Sequence, residues 1–422
     1  VRFARSGVDL TALRSPAFRL IAPAQLGFVM GEQVLAVAVT VSVLSSGGDA
    51  AAVGVVLAAK GIASLCLLLI GGVWSDRLSR RHILTIMLAV NAVAAGTPIV
   101  VAGRDSRVWL LAGVLFVIGA AEAFIRPAFN AILSSTLDED QRVSGRALIN
   151  ICTRMGVIVG PVLGTLLAGG SERLTFALAA LMFAGSALTF RRVAEPSRTP
   201  FARRSLLREA MAGVADAGRR PWLAALLLFS PVSLMFVIAP TQVLLPVLSR
   251  DTFGSYTAYG TALACYGIGG LISSVTMMAW RPRRPGVVAM CSMALYALVP
   301  LGLVHAPSIW VLFCCYVVAG FGVETYALCW DVAMYREVPD QLIGRVSSLA
   351  WLSTFGLMPF GQALTGPLTA LTGNQAVLMS AAGLVLVIPP CLLLVPGMTR
   401  LRGTRTPRRS RRPGLVGGDR NL

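Results

Sequence analysis

Twelve apolar runs follow one another along this chain, most of them separated by only short polar breaks. They cover residues 20–44, 50–73, 82–102, 108–134, 143–169, 173–191, 221–248, 257–280, 287–305, 308–335, 345–371 and 374–396. A helix needs about 20 apolar residues to cross a bilayer core of ~30 Å, so each run is long enough to span. Of the 422 residues 56% are hydrophobic and only 13% charged, too few charges to cover a water-facing surface. The expected fold is therefore an all-α integral membrane protein with twelve transmembrane helices.

The formal charge of +18 resides in arginine, because every one of the 37 basic residues except Lys60 is an arginine. Counting alternate loops, 30 arginines fall on the side of both termini. Arg104, Arg107, Arg173 and Arg250 fall on the other side, and Arg126 and Arg154 lie inside spans. The positive-inside rule then places both termini in the cytoplasm of a multi-pass plasma-membrane protein. The basic balance needs no nucleic acid to explain it. Membrane lipid is the expected contact of the arginine-rich tail.

Residues 192–220 form the longest break and divide the chain into a six-span half, 1–191, and a second, 221–396, followed by a basic tail, 397–422. Within that linker Leu206, Leu207, Ala210, Met211 and Val214 recur at helical spacing, which predicts a short amphipathic helix on the cytoplasmic surface. The halves repeat a pattern. Gly119, Glu122, Asp140-Gln141, Gly145-Arg146, Pro161 and Gly164 are followed in the second half by Gly320, Glu324, Asp340-Gln341, Gly344-Arg345, Pro359 and Gly361. Six-span halves repeated in parallel suit a transporter that rocks about a central site.

Several chemistries drop out. Lys60 is followed by glycine, so there is no phosphate-cradling Gly-Lys-Ser/Thr. His82 and His305 are the only histidines, and the eight cysteines show no CxxC spacing, so no metal site or cofactor is expected. The cysteines read as small buried hydrophobes. No catalytic dyad appears at workable spacing, and the chain is not expected to be an enzyme.

After span two the chain reads Gly72-Val73-Trp74-Ser75-Asp76-Arg77-Leu78-Ser79-Arg80-Arg81. This resembles the loop 2–3 signature of the major facilitator superfamily, with Ser79 in place of the family's glycine. The resemblance implies a gating role for Gly72, Asp76, Arg77, Arg80 and Arg81, with Asp76 capping span eleven near Gly344. Span five carries Gly156, Gly160, Pro161 and Gly164, similar to the superfamily's antiporter motif, with Thr165 replacing its last glycine. Glycines four apart also serve ordinary close helix packing. Further pieces are Gly31-Glu32-Gln33, Arg126-Pro127-Ala128, Arg220-Pro221-Trp222-Leu223, Leu245-Pro246 and Gly344-Arg345-Val346. In this order they resemble the macrolide-efflux and enterobactin-exporter-like branch. Leu115 stands near where many drug–proton antiporters carry an arginine.

Ionisable groups inside spans are costly unless paired, so each is a functional candidate. Glu32, Lys60, Glu122, Arg154 and Glu324 all fall within several Å of the bilayer centre at 1.5 Å per residue, and Arg126 lies one turn from Glu122. The expected pairs are Glu122 with Arg154, helped by Arg126, and Glu32 with Lys60. Phe129, Trp330 and Phe355 are candidate cavity aromatics. The resemblance implies an exporter of drugs, antibiotics or secondary metabolites working by proton antiport; a carboxylate held by a cation and then parted from it in dry surroundings takes up a proton, which makes Glu122 first and Glu32 second the expected proton carriers. Its partners would be a small amphiphilic substrate and protons, and it would act as a monomer. Uptake by symport or facilitation, or a receptor that transports nothing, are the alternatives. In a cysteine-free background, a thiol at Ser197 should react only with reagent on the cytoplasmic face and one at Ser255 only from outside; the reverse labelling would invert the topology.

Overall fold

A computed structural model describes residues 11–101, 107–138, 141–194, 220–280, 282–338, 342, 346, 349–350, 353 and 356–401. Twelve helices traverse the bundle: α1 (Pro16–Ser45), α2 (Ala50–Arg77), α3 (Arg80–Val100), α4 (Arg107–Thr136), α5 (Arg142–Ala168), α6 (Glu172–Arg191), α7 (Pro221–Phe253), α8 (Thr257–Ala279), α9 (Pro285–His305), α10 (Ile309–Glu337), α11 (Met358–Thr372) and α12 (Asn374–Leu392). Eleven of them are long and apolar enough to cross a membrane. Most of the first half of the expected span eleven lies outside the described residues, as do the linker helix expected around residues 206–214 and most of the basic tail.

Starts and irregularities follow from local chemistry. Ser15, Asp49, Ser79 and Ser171 cap α1, α2, α3 and α6 by accepting from backbone N–H groups left free in the first turn. Helix α7 carries a π turn at Leu234–Ile238 between Pro231 and Pro240. Each proline removes one hydrogen-bond donor, and the ladder shifts register between them. Helix α9 tightens to a 3-10 turn at Leu295–Ala297, just before Pro300.

The halves are built alike. Helix α2 packs along α4 as α8 packs along α10, and α3 lies on α6 as α9 lies on α12. A Cβ at Gly119 would strike the carbonyl of Lys60, and one at Gly320 would strike that of Tyr266, so corresponding glycines set corresponding crossings. Trp109 and Trp310 stand exposed near the starts of α4 and α10, and Trp74 and Trp280 near the ends of α2 and α8. The two tiers match the aromatic belts that mark the two interfaces of a bilayer. Four of the eight cysteines, Cys66, Cys291, Cys314 and Cys391, are exposed. The expectation of uniformly buried thiols is thus wrong, because outward-facing positions in lipid also favour small apolar groups.

The two halves meet along α2–α11 and α5–α8. Gly54 sits against the Gln362 carbonyl, Gly366 against Ala51, Gly260 against Pro161 and Thr165, and Gly267 against Ile158. All of these lie in the half of the bundle away from the two termini, here termed the distal half. Val37 and Val41 of α1 enter the core of the second half, and Val243, Val247 and Leu378 enter that of the first. The distal seam is therefore closed by backbone-to-backbone packing. Replacing Gly269, whose Cβ would meet the Val317 carbonyl, with leucine should destabilise the protein by about 1–3 kcal/mol or more. Gly383→Leu, facing open space, should be neutral in the same thermal-unfolding assay.

Candidate functional site

At mid-depth α1, α2 and α4 of the first half bring together four charges. Gly119 allows α2 to approach α4 closely at Lys60, one turn from Glu122. The Lys60 ammonium donates to Glu32 Oε1 and lies 3.2 Å from Glu122 Oε2. Arg126, one turn along α4, donates from Nε to Glu122 Oε1 at 2.6 Å. Two cations against two carboxylates leave the cluster neutral, the condition for keeping charge at this depth. The side chains of Glu122 and Glu32 are only 6% and 12% exposed, those of Lys60 and Arg126 31% and 50%. The two cations are the more open members of the cluster, and the two carboxylates are the more buried.

Arg154 is not in this cluster. It lies four residues before Ile158, which packs on Gly267 of α8, so that face of α5 looks toward the second half. Its guanidinium pairs with Glu324 of α10, and Ser274 of α8 donates to the same carboxylate oxygen at 3.3 Å. The expected Glu122–Arg154 pair is therefore replaced by two separate arrangements, one inside the first half and one joining the halves.

A cavity of about 430 Å³ lies between the halves. Gln33, Lys60, Glu122 and Arg126 line its first-half wall; Tyr259, Tyr266, Tyr296, Tyr316, Gln242 and Gln362 line the other. Tyr296 and Thr241 share a hydrogen bond of 2.7 Å, Tyr266 meets Tyr296 edge-on with centroids 6.5 Å apart, and Gln362 donates to Gln242 at 3.1 Å. Glu32 and Glu324 stand behind the lining rather than in it. Phe129 is spent on packing against Phe190, and Trp330 against Trp222, while Phe355 lies outside the described residues. The tyrosine wall was missed from sequence. The duplicated glycine held the clue, since Tyr266 occupies opposite Gly320 the place Lys60 occupies opposite Gly119. Among the described residues no group of three His, Cys, Asp or Glu could hold a metal.

The family model of the Major Facilitator Superfamily matches residues 21–349. The chain belongs to this superfamily. It is 25% identical over 409 residues to the enterobactin exporter EntS of Shigella boydii serotype 18 (strain CDC 3083-94 / BS512), covering 95% of this chain and 96% of that one. EntS of Escherichia coli O6:K15:H31 (strain 536 / UPEC) matches to the same extent. Among solved structures, the nucleoside transporter NupG superposes with a TM-score of 0.69 at 16% identity, over 90% of this chain and 98% of that one. A bacterial homologue of the iron transporter ferroportin in an inward-facing state gives 0.68 at 15% identity, also over 90% and 98%. The protein is thus a multi-pass membrane transporter rather than an enzyme.

The superfamily motifs take on definite geometry. Gly156, Gly160 and Gly164 of α5 face Val29, Gln33 and Val37 of α1, a ladder with the same four-residue step on both helices. On its other side α5 presents Pro161 and Thr165 to Gly260. Thr165 donates back to the Pro161 carbonyl at 3.0 Å, so its hydroxyl is satisfied although it replaces a glycine. In the gating signature α2 continues through Arg77, leaving only Leu78 and Ser79 as the turn. Ser79 has φ −61°, needs no glycine, and caps α3 by accepting from the His82 N–H. Arg80, the first residue of α3, donates to the Ala131 carbonyl at 3.2 Å, tying α3 to α4, and Arg81 follows it in the first turn. The side chains of Gly72, Asp76 and Arg77, and all of Gly344, lie outside the described residues, and the expected latch between Asp76 and span eleven lies there with them.

Lys60→Met should leave Glu32 charged without its cation and cost about 3–5 kcal/mol. Adding Glu32→Gln should recover most of that loss, because Glu122 keeps Arg126. A double-mutant cycle on thermal unfolding in detergent reads this coupling.

Proposed function

We propose that the protein is a secondary active exporter that carries small amphiphiles (drugs, antibiotics or secondary metabolites) out of the cytoplasm by proton antiport and alternating access. The observation that carries this reading is the mid-depth cavity with a charged wall on one half and a tyrosine wall on the other. Aromatic faces suit flat apolar portions of a cargo, and the more open cations and the phenols suit its acceptor or anionic groups. With both termini cytoplasmic, the closed distal seam makes this the state that loads from inside. The EntS relatives, named as exporters, support the outward direction. So does the glycine ladder of α5, which resembles the antiporter motif.

A membrane potential of 100 mV supplies about 2.3 kcal/mol per charge moved, enough for a roughly fiftyfold cargo gradient per proton. The mid-depth carboxylates Glu32, Glu122 and Glu324 are the groups able to carry that proton. Energised cells expressing the chain should extrude one class from a panel of fluorescent cations, macrolides and acidic aromatic compounds, and a protonophore should abolish the extrusion. Accumulation instead of extrusion would favour uptake by symport. No movement of any class, with expression verified, would overturn the transport assignment for these cargoes and favour a receptor role.

A further inference from the structure

The mid-depth charges divide by whether a rocking motion disturbs them. Glu32, Lys60, Glu122 and Arg126 all sit on α1, α2 and α4, within the first half. A half that moves as a body carries this cluster with it, and each carboxylate keeps its cation in either conformation. Of the mid-depth ion pairs among the described residues, Arg154–Glu324 alone joins the halves. It lies at the inner edge of the closed seam, one turn from the Ile158–Gly267 contact, with Gly270 of α8 wedged beside both side chains. A tilt that parts Ile158 from Gly267 draws α5 away from the second half and Arg154 away from Glu324.

We propose that Glu324 is the carboxylate that takes and releases the coupling proton, with Arg154 as its competing cation across the seam; this rests on the proton-antiport reading above. A carboxylate that loses its cation in a low-dielectric site binds a proton rather than keep its charge. When the distal seam opens, the Arg154 contact breaks and the Glu324 carboxylate accepts a proton from the distal aqueous side. When the seam closes, Arg154 returns, the O–H bond breaks, and the proton leaves toward the side of the termini. The structure corresponds to the second condition, seam closed and pair formed. This is the order an exporter driven by inward proton flow requires.

The groups facing Glu324 are few. Helix α5 contributes Arg154, and α8 contributes Ser274 at 3.3 Å, with Tyr266 two turns from it. From α9, Tyr296 stands edge-on to Tyr266. On α10 itself Asp331 lies seven residues on, about 10 Å along the axis. Arg154 is the cation among them, so its approach and withdrawal set the charge of Glu324. Arg154, expected from sequence to pair with Glu122, and Glu324, expected only as a cavity acid, thereby become one switch.

The test uses full-length protein in lipid nanodiscs, spin-labelled at Gly170 and Ser255 near the distal ends of α5 and α8, with pulsed-EPR distances taken at mildly acid and mildly alkaline pH. Acid should shift the unsubstituted protein toward the longer distal distance. Glu324→Gln should show the longer distance at both pH values, losing the shift. Arg154→Gln should favour the longer distance, and Arg154→Glu combined with Glu324→Arg should restore the shorter one, which shows that the fold survives. A normal pH shift in unsubstituted protein that persists in Glu324→Gln overturns the assignment of Glu324 alone. A flat response in the unsubstituted protein overturns proton antiport and this assignment with it.

Discussion

Lys60 holds two carboxylates in a medium where neither would remain charged alone, and much of the first half is arranged to let it do so. The ammonium reaches Glu32 on α1 and Glu122 on α4 from α2 between them. That requires α2 and α4 to cross at backbone distance, which Gly119 permits. Arg126 supplies the second positive charge and brings the cluster to neutrality. Any one of the four charges removed alone leaves an unmatched charge at mid-depth, which is the expensive condition.

The second half uses the same crossing for a different purpose. Opposite Gly320 stands Tyr266 rather than a lysine, and with Tyr259, Tyr296 and Tyr316 it makes a wall of phenols facing the charged one. Duplicated architecture has kept the backbone geometry and divided the chemistry, so the cavity has two unlike sides. Glycine against carbonyl closes the seam between the halves at its distal end. Such packing is dense, and among the described residues no ion pair crosses it at the distal end, which suits an interface that must part and re-form. The ionic tie lies deeper, between Arg154 and Glu324.

How much of this was legible in the sequence depends on range. The apolar runs locate the helices because the bilayer imposes a length that composition alone reports. The depth of Glu32, Lys60, Glu122, Arg154 and Glu324 follows from counting along single helices. Partner choice does not. Arg154 and Glu122 sit at matching depth on neighbouring spans, yet rotation of α5 about its axis turns the arginine toward α10. That rotation is set by Gly156, Gly160 and Gly164 lying on α1, whose partners Val29, Gln33 and Val37 have no distinguishing pattern of their own. Phe129 and Trp330 misled because an aromatic in a span serves packing as readily as a cavity. Ser79 stands where the family has a glycine, and only the structure shows that its hydroxyl caps α3.

By itself the sequence determined what a one-dimensional pattern can encode: membrane spans, their number, the repeat of two halves, the family, and a belt of charge at mid-depth. The spans, their number and the depth of the charges rest on spacing along one chain measured against a bilayer of fixed thickness, the repeat rests on recurring residues, and the family on the resemblance of its motifs. Tertiary structure decided which charges neutralise which, which helix face each residue presents, and that tyrosines form the second wall of the cavity. These depend on how helices rotate and cross, and those angles come from many small steric contacts among residues far apart in the chain. A single sequence lists those residues but not their meetings.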